Sequence, residues 1–192
     1  MTIAGLVLAN GLSRRMGREK ATLKLGGKTL ASRAVDTLRL QRMVEEVALN
    51  ASGDPARFET NAPLVEDAFP DHAGPLSGIQ AGLEWANSEG HDRLLSVAID
   101  TPFFPEDLAD ELSKSDAPIV VAKTYRLHPV FALWDVSLAA DLHAFLDRGR
   151  RKIMEFVEGY SYVTCSFGVS AVDPFFNVNT PEDFERAEAL LS

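Results

Sequence analysis

Short apolar runs alternate with amphipathic stretches along most of the 192-residue chain. Runs at 3–9, 46–50, 63–66, 93–99, 118–122, 130–134 and 161–165 are rich in β-branched and aliphatic residues, and their length predicts buried strands. Between them, 30–40, 76–85, 105–112, 137–146, 152–157 and 181–190 carry apolar residues at helical spacing. In the first, Leu30, Ala34, Val35 and Leu38 share one face. Thr180 before Pro181 has the chemistry of an N-cap, with Asp183 adding negative charge to the first turn. Strand–helix alternation predicts a mainly parallel sheet with helices on both faces. The runs at 118–122 and 130–134, separated only by KTYRLHP, break the rhythm and predict a hairpin-like excursion with one antiparallel strand. Without a linker, repeat or low-complexity stretch, one domain is expected.

Composition adds two constraints. The net charge is −9, which argues against nucleic acid as the partner, yet ten of the 19 basic residues fall in two short windows. Arg14, Arg15, Arg18, Lys20, Lys24 and Lys28 form one, and Arg148, Arg150, Arg151 and Lys152 form the other. On an acidic protein such knots fit small anions, though the second also fits a solvated helix flank. A lone cysteine, Cys165, excludes an internal disulfide and a thiolate zinc cage; its strand context fits a small buried hydrophobe. With no signal-like N-terminus and no apolar run approaching a membrane span, the expected setting is the cytoplasm, with no membrane partner.

The densest chemistry is IAGLVLANGLSRRMGREK at 3–20. A buried strand ends at Asn10-Gly11, two residues that tolerate positive φ, and a strongly cationic loop follows. A loop leaving the carboxyl end of a parallel strand, with free N–H groups and positive charge, suits a nucleoside triphosphate. Lys20 can return as a point charge onto phosphate oxygens, and Arg15 can grip them bidentately. The strand at 93–99 delivers Asp100 to its carboxyl end, where Pro102 stops the ladder. Magnesium takes one or two carboxylates plus substrate phosphates, so Asp100 is the candidate ligand; an Asx-turn or cap is the plainer alternative. Asn50 and Asp67 end two further strands, and all three ends would meet in one crevice. Gly74-Pro75-Leu76-Ser77-Gly78 opens a helix with small residues that permit close approach of a flat base or simply tight packing. Asn177 and Asn179 lie on one side of an extended segment, able to grip a heterocycle or phosphate or to satisfy backbone around a cap. His128-Pro129 falls in the expected loop, and the four histidines show no ligand spacing. Gly26-Gly27-Lys28-Thr29 is no P-loop, because Thr22 stands where the first glycine belongs; the two glycines instead predict a turn between a short strand at 23–25 and the helix near Thr29.

Taken in order, LANGLSRRMGREK, GPLSG, DTP, HP and NVNTPED resemble the landmarks of the molybdenum cofactor guanylyltransferase (MobA) family across essentially the whole chain. The resemblance implies a single-domain, Rossmann-like, three-layer α/β nucleotidyltransferase fold, mostly parallel with one antiparallel strand. It implies transfer of GMP from GTP to the terminal phosphate of the molybdenum-bearing pterin, molybdopterin, with release of pyrophosphate and Mg²⁺ as cofactor. Under it, Leu8, Ala9, Asn10 and Gly11 hold the nucleotide through backbone groups, and Lys20, Asn50, Asp67, Asp100 and the Pro75, Leu76, Ser77, Gly78 loop complete its site. Arg15, Lys20 and Asp100 act in catalysis, Asp100 on the metal, while Arg150, Arg151, Asn177 and Asn179 face the pterin. Molybdenum-insertion proteins and molybdoenzymes become possible partners. Asn10 departs from the pattern, since the guanylyl branch usually has glycine there and the cytidylyl branch alanine, which opens the base preference at this position; Pro75-Leu76-Ser77-Gly78 resembles the guanylyl branch's second base-selecting loop and points to GTP. A cytidylyltransferase for the same cofactor, a sugar-phosphate nucleotidyltransferase and a non-catalytic cofactor carrier are the rival readings. The chemistry needs no nucleophilic side chain, since the attacking phosphate oxygen is already an anion. The protein must neutralise, align and hold the leaving group.

Overall fold

A computed structural model describes residues 1–10, 19–69, 74–170 and 172–191. Its main sheet has seven strands in the order β5-β4-β1-β6-β8-β7-β9. These are β1 (Ile3–Leu8), β4 (Val44–Asn50), β5 (Leu64–Val65), β6 (Arg93–Ala98), β7 (Ile119–Lys123), β8 (Leu127–Asp135) and β9 (Tyr162–Ser166). β1 pairs in parallel with both β4 and β6, β4 with β5, and β7 with β9. β8 alone runs antiparallel to its neighbours β6 and β7. The single-domain, mixed sheet anticipated from the hydrophobic rhythm is therefore present.

Side-chain alternation divides the core into two layers. Ile3, Val7, Leu95, Val97 and Val120 point to one face, covered by α1 (Leu30–Arg39) and α3 (Leu108–Leu112). Ala4, Leu6, Leu94, Ile119 and Val121 point to the other, covered by α2 (Pro75–Ser88), α4 (Ala139–Asp147) and α5 (Ile153–Val157). Two glycines let helices approach closely. A Cβ on Gly5 would lie 2.6 Å from Leu38 on α1, and one on Gly82 would overlap Leu6. A small hairpin of β2 (Lys24–Leu25) and β3 (Lys28–Thr29) turns at Gly26 and Gly27, both at positive φ, as a tight two-residue connection requires. Thr29 then caps α1, its Oγ1 accepting from Ser32 N at 3.0 Å. At the far end Thr180 and Asp183 form a reciprocal capping box that starts α6 (Pro181–Ala189).

Four expectations are corrected. β8 spans nine residues, so His128-Pro129 lies in a strand and not in a loop. Proline is tolerated there because the β7–β8 register shifts between Val121 and Ala122, leaving Pro129 in an irregular stretch that needs no ladder N–H. The helix anticipated at 105–112 begins only at Leu108, and the first part of 137–146 is a 3-10 turn, Val136–Leu138, entered through Asp135. Finally, Glu59 is the one non-glycine residue at positive φ among the described residues, so Asn10 ends β1 without a left-handed backbone.

Candidate active site

The carboxyl end of β1 divides the site in two. Its last groups are used by the sheet: Ala9 N donates to Asn50 O at 3.0 Å, and Leu8 O accepts from Ile99 N at 3.2 Å. Leu8 and Ala9 are buried and form the floor of the site. Asn10 is half-buried at the mouth. Gly11 and Arg15 lie outside the described residues.

On the β6 side, a 3-10 turn at Lys20–Thr22 buries Lys20 to 8% exposure. Its Nζ donates to Asn179 Oδ1 at 2.7 Å and reaches Asp100 Oδ2 at 3.2 Å. An ammonium taken out of water needs such partners, and the carboxylate supplies the opposite charge. Lysine carries three donors, so one remains for a substrate oxygen. Asp100 also anchors the facing segment through its backbone, its carbonyl accepting from Val178 N at 2.7 Å. Beside it, the fully buried Thr101 donates from Oγ1 to Asn177 Oδ1 at 2.7 Å. Asn177 and Asn179 thus share a side, as their spacing predicted, and both project from the same pinned segment. Thr101 and the Val178 backbone are contributions that sequence reasoning missed. The threonine of Asp100-Thr101-Pro102 was the available signal, but its partner lies 76 residues away.

On the β4 side, Asn50 closes its strand almost fully buried. Its Nδ2 donates to Val65 O and Asp67 Oδ1, both at 3.0 Å, so two strand-end polar groups are locked together. The carbonyl end of Asn50 lies against Gly78: a Cβ there would overlap Asn50 Oδ1 and sit 2.6 Å from Leu8. Gly78 is therefore required for α2 to approach. Gly74 enters that helix at φ 70°, ψ −162°, a region open to glycine alone. Pro75 is exposed at the first turn, but Leu76 belongs to the core and Ser77 is fully buried. Ser77 Oγ accepts from Phe69 N at 3.0 Å and lies 3.3 Å from Phe69 O. The Leu76 side chain thus packs into the core and the Ser77 hydroxyl holds the turn at Phe69, which leaves the backbone of the helix start as the part of this loop that can meet a base.

Asn50 and Asp67 on one side and Asp100 on the other flank the carboxyl end of β1. With neighbouring strands about 4.8 Å apart, Asn50 and Asp100 flank β1 at roughly 10 Å, and Asp67 stands roughly 14 Å from Asp100. That span suits a nucleotide lying across the end of β1. Among the described residues no group of three or more His, Cys, Asp and Glu side chains could hold a metal. A single carboxylate can serve magnesium where substrate phosphates supply its other ligands.

Arg150 and Arg151 are not brought to the Lys20–Asp100 pair. Arg150 bonds Glu155 through Nε at 2.9 Å and Nη2 at 2.6 Å and stacks 4.4 Å over Phe145. Arg151 caps backbone carbonyls of Leu146 and Arg150. Their connection follows α4, which climbs from the amino end of the parallel strands, and so lies on the same rim as Asp100. Cys165 is half-buried on β9, where burial pushes its thiol pKa up.

A mostly parallel α/β sheet carrying a paired lysine and carboxylate at adjoining strand ends defines a nucleotide-binding protein of the nucleotidyltransferase type. Residues 5–162 match the model of the MobA-like NTP transferase domain, and the chain belongs to that family. It is 43% identical to a molybdenum cofactor guanylyltransferase of Cereibacter sphaeroides, over 100% of this chain and 98% of that one. The homonymous protein of Rhizobium meliloti is 40% identical, with 97% and 90% covered. Among solved structures, molybdopterin-guanine dinucleotide biosynthesis protein A from Archaeoglobus fulgidus superposes with a TM-score of 0.76 at 25% identity, covering 100% of this chain and 98% of that one.

Proposed function

We propose that this protein transfers GMP from GTP to the terminal phosphate of molybdenum-bearing molybdopterin, releasing pyrophosphate and forming the guanine dinucleotide cofactor. The observation that carries the reading is Lys20, buried between Asp100 and Asn179 at the strand ends of a chain alike in full length to guanylyltransferases. The β4 side, closely packed around Asn50 and Gly78, receives the base and ribose. The β6 side receives the phosphates.

In this reading Lys20 neutralises non-bridging phosphate oxygens as the acceptor phosphate, itself an anion, approaches the α-phosphorus. Asp100 fixes the ammonium from one side and Asn179 from the other, so little reorganisation is left for the reaction. Arg15 supports the leaving pyrophosphate. Asp100 would hold Mg²⁺ together with substrate oxygens, and the ion would supply charge neutralisation at the triphosphate. Asn177, Asn179, Arg150 and Arg151 line the acceptor's approach. The protein works in the cytoplasm, receiving loaded pterin from molybdenum-insertion proteins and passing product to molybdoenzymes. No helix among the described residues is long and apolar enough to cross a membrane.

Asn10, standing where guanylyl relatives usually carry glycine, makes CTP the competitor to test. A turnover assay with GTP and CTP in competition, using molybdenum-loaded pterin as acceptor and Mg²⁺, should yield the guanine product. Preferential cytidylyl transfer would replace this reading with that of the sister enzyme. Binding without pyrophosphate release would leave only a carrier.

A further inference from the structure

His128 is buried to 8% exposure, yet neither the triphosphate side nor the base side of the site uses it. Its Nε2 lies 2.8 Å from Thr124 Oγ1 on the β7–β8 hairpin. Its ring stacks on Phe175 with centroids 4.4 Å apart and planes 25° from parallel. Phe175 is fully buried, and Phe131 and Phe167 meet it edge-on at 4.9 and 5.6 Å. The chain then runs directly to Asn177, held by Thr101, to Val178, held by the Asp100 carbonyl, and to Asn179, which holds Lys20. At its start Asp173 accepts from Phe175 N and Phe176 N.

We propose that His128 is a positioning residue: pinned by Thr124 and stacked on Phe175, it sets the height of the 175–179 segment, so that Asn179 holds Lys20 against Asp100. The inference rests on the site reading above, though not on which nucleotide is transferred. An aromatic stack fixes a segment through shape, and the Thr124 contact holds the ring in register with it. Burial and the Arg126 charge push the imidazole pKa down, with Asp173 opposing more weakly, so the ring is held neutral as a packed aromatic group. A displacement of Asn179 would release Lys20 from one of its two partners, and small misplacements of charge at a reacting phosphate are costly.

The test is a double-mutant cycle of His128→Ala and Asn179→Ala, with His128→Phe as the rescue that keeps the stack. His128→Ala should lower kcat about 10- to 100-fold while the KM for GTP changes less than about threefold. If His128 acts through Asn179, the double variant should be no worse than Asn179→Ala alone, and His128→Phe should restore kcat to within about threefold of the parent. Unchanged turnover in His128→Ala, losses that multiply in the double variant, or a phenylalanine variant as slow as the alanine one would each overturn the proposal. Should His128→Ala fail to fold, His128→Leu, which fills the space without the ring stack, carries the same cycle with Asn179→Ala and the same criteria. If the parent protein transfers no GMP, the functional reading fails on its own. The cycle is then read on nucleoside triphosphate affinity by thermal shift, where independent losses refute the positioning role and non-additive losses support it.

Discussion

The two flanks of the β1 carboxyl end are built from different forces. On the β6 flank, Lys20, Asp100 and Asn179 meet from three remote parts of the chain, and charge holds them together. On the β4 flank, Asn50 donates to the Asp67 carboxylate, and α2 packs within a methyl group's width of Asn50 at Gly78. A charged, partly buried cluster can change its interactions as phosphate charge is redistributed, whereas a rigid packed pocket can only accept or reject a shape. Under the proposed function, the comparison teaches that reaction and recognition fall on opposite sides of one strand, with Asn10 at the seam.

That separation is breakable by substitution, and the largest effect should come from the β6 flank. Asp100→Ala should reduce turnover on the order of a thousandfold, about 4 kcal/mol, with an unchanged circular dichroism spectrum. Full turnover in that variant would remove Asp100 from the metal and from the Lys20 clamp. On the β4 flank, Gly78→Ala should behave oppositely. The added methyl must displace Asn50 or Leu8, so about 1–3 kcal/mol of stability should be lost in denaturant titrations, together with nucleotide affinity. If kcat alone fell and stability held, the two flanks would not be separable in this way. At the seam, Asn10→Gly should leave GTP turnover within roughly tenfold, about 1.4 kcal/mol, because its backbone needs no left-handed geometry. A switch toward CTP would move base selection onto this residue.

Two smaller effects probe the supports of the β6 flank. Thr180→Ala removes one arm of the capping box just beyond Asn179 and should cost about 1 kcal/mol in thermal or chemical unfolding. Acid is the gentlest perturbation. The His128 pKa is lowered by burial and by Arg126, so on acidification the unfolded chain takes up a proton that the folded chain refuses. Its contribution is therefore neutral well above the ordinary value of 6.5, and stability falls as pH drops below it, until the lowered folded pKa is passed. His128→Phe should flatten that part of the stability–pH curve; an identical slope would mean that other groups set it.

Much of this architecture was legible along the chain because its signals are local. A polar residue after a buried strand marks a strand end whatever the topology, which is why Asn50, Asp67 and Asp100 could be picked out one at a time. The turn at Gly26-Gly27 and the Thr180 cap are likewise settled within four residues. The failures were of two kinds. His128-Pro129 read as a loop because proline ends ladders, and only the irregular β7–β8 register makes room for it. Residues 105–107 and 137–138 read as helix because apolar spacing does not mark where helical hydrogen bonding begins, whereas α3 starts only at Leu108 and a 3-10 turn precedes α4.

By itself, the sequence determined the alternating sheet and helices, the identity of the strand-end side chains and the concentration of cations after β1, since periodicity, propensity and charge are properties of neighbouring residues. Only the tertiary structure decided that Lys20 joins Asn179 across 159 residues, that Asn50 joins Asp67, and that His128 lies under Phe175. Those pairings depend on strand order and on how closely each helix can approach the sheet, quantities set by the packing of the whole core and by no single stretch of it.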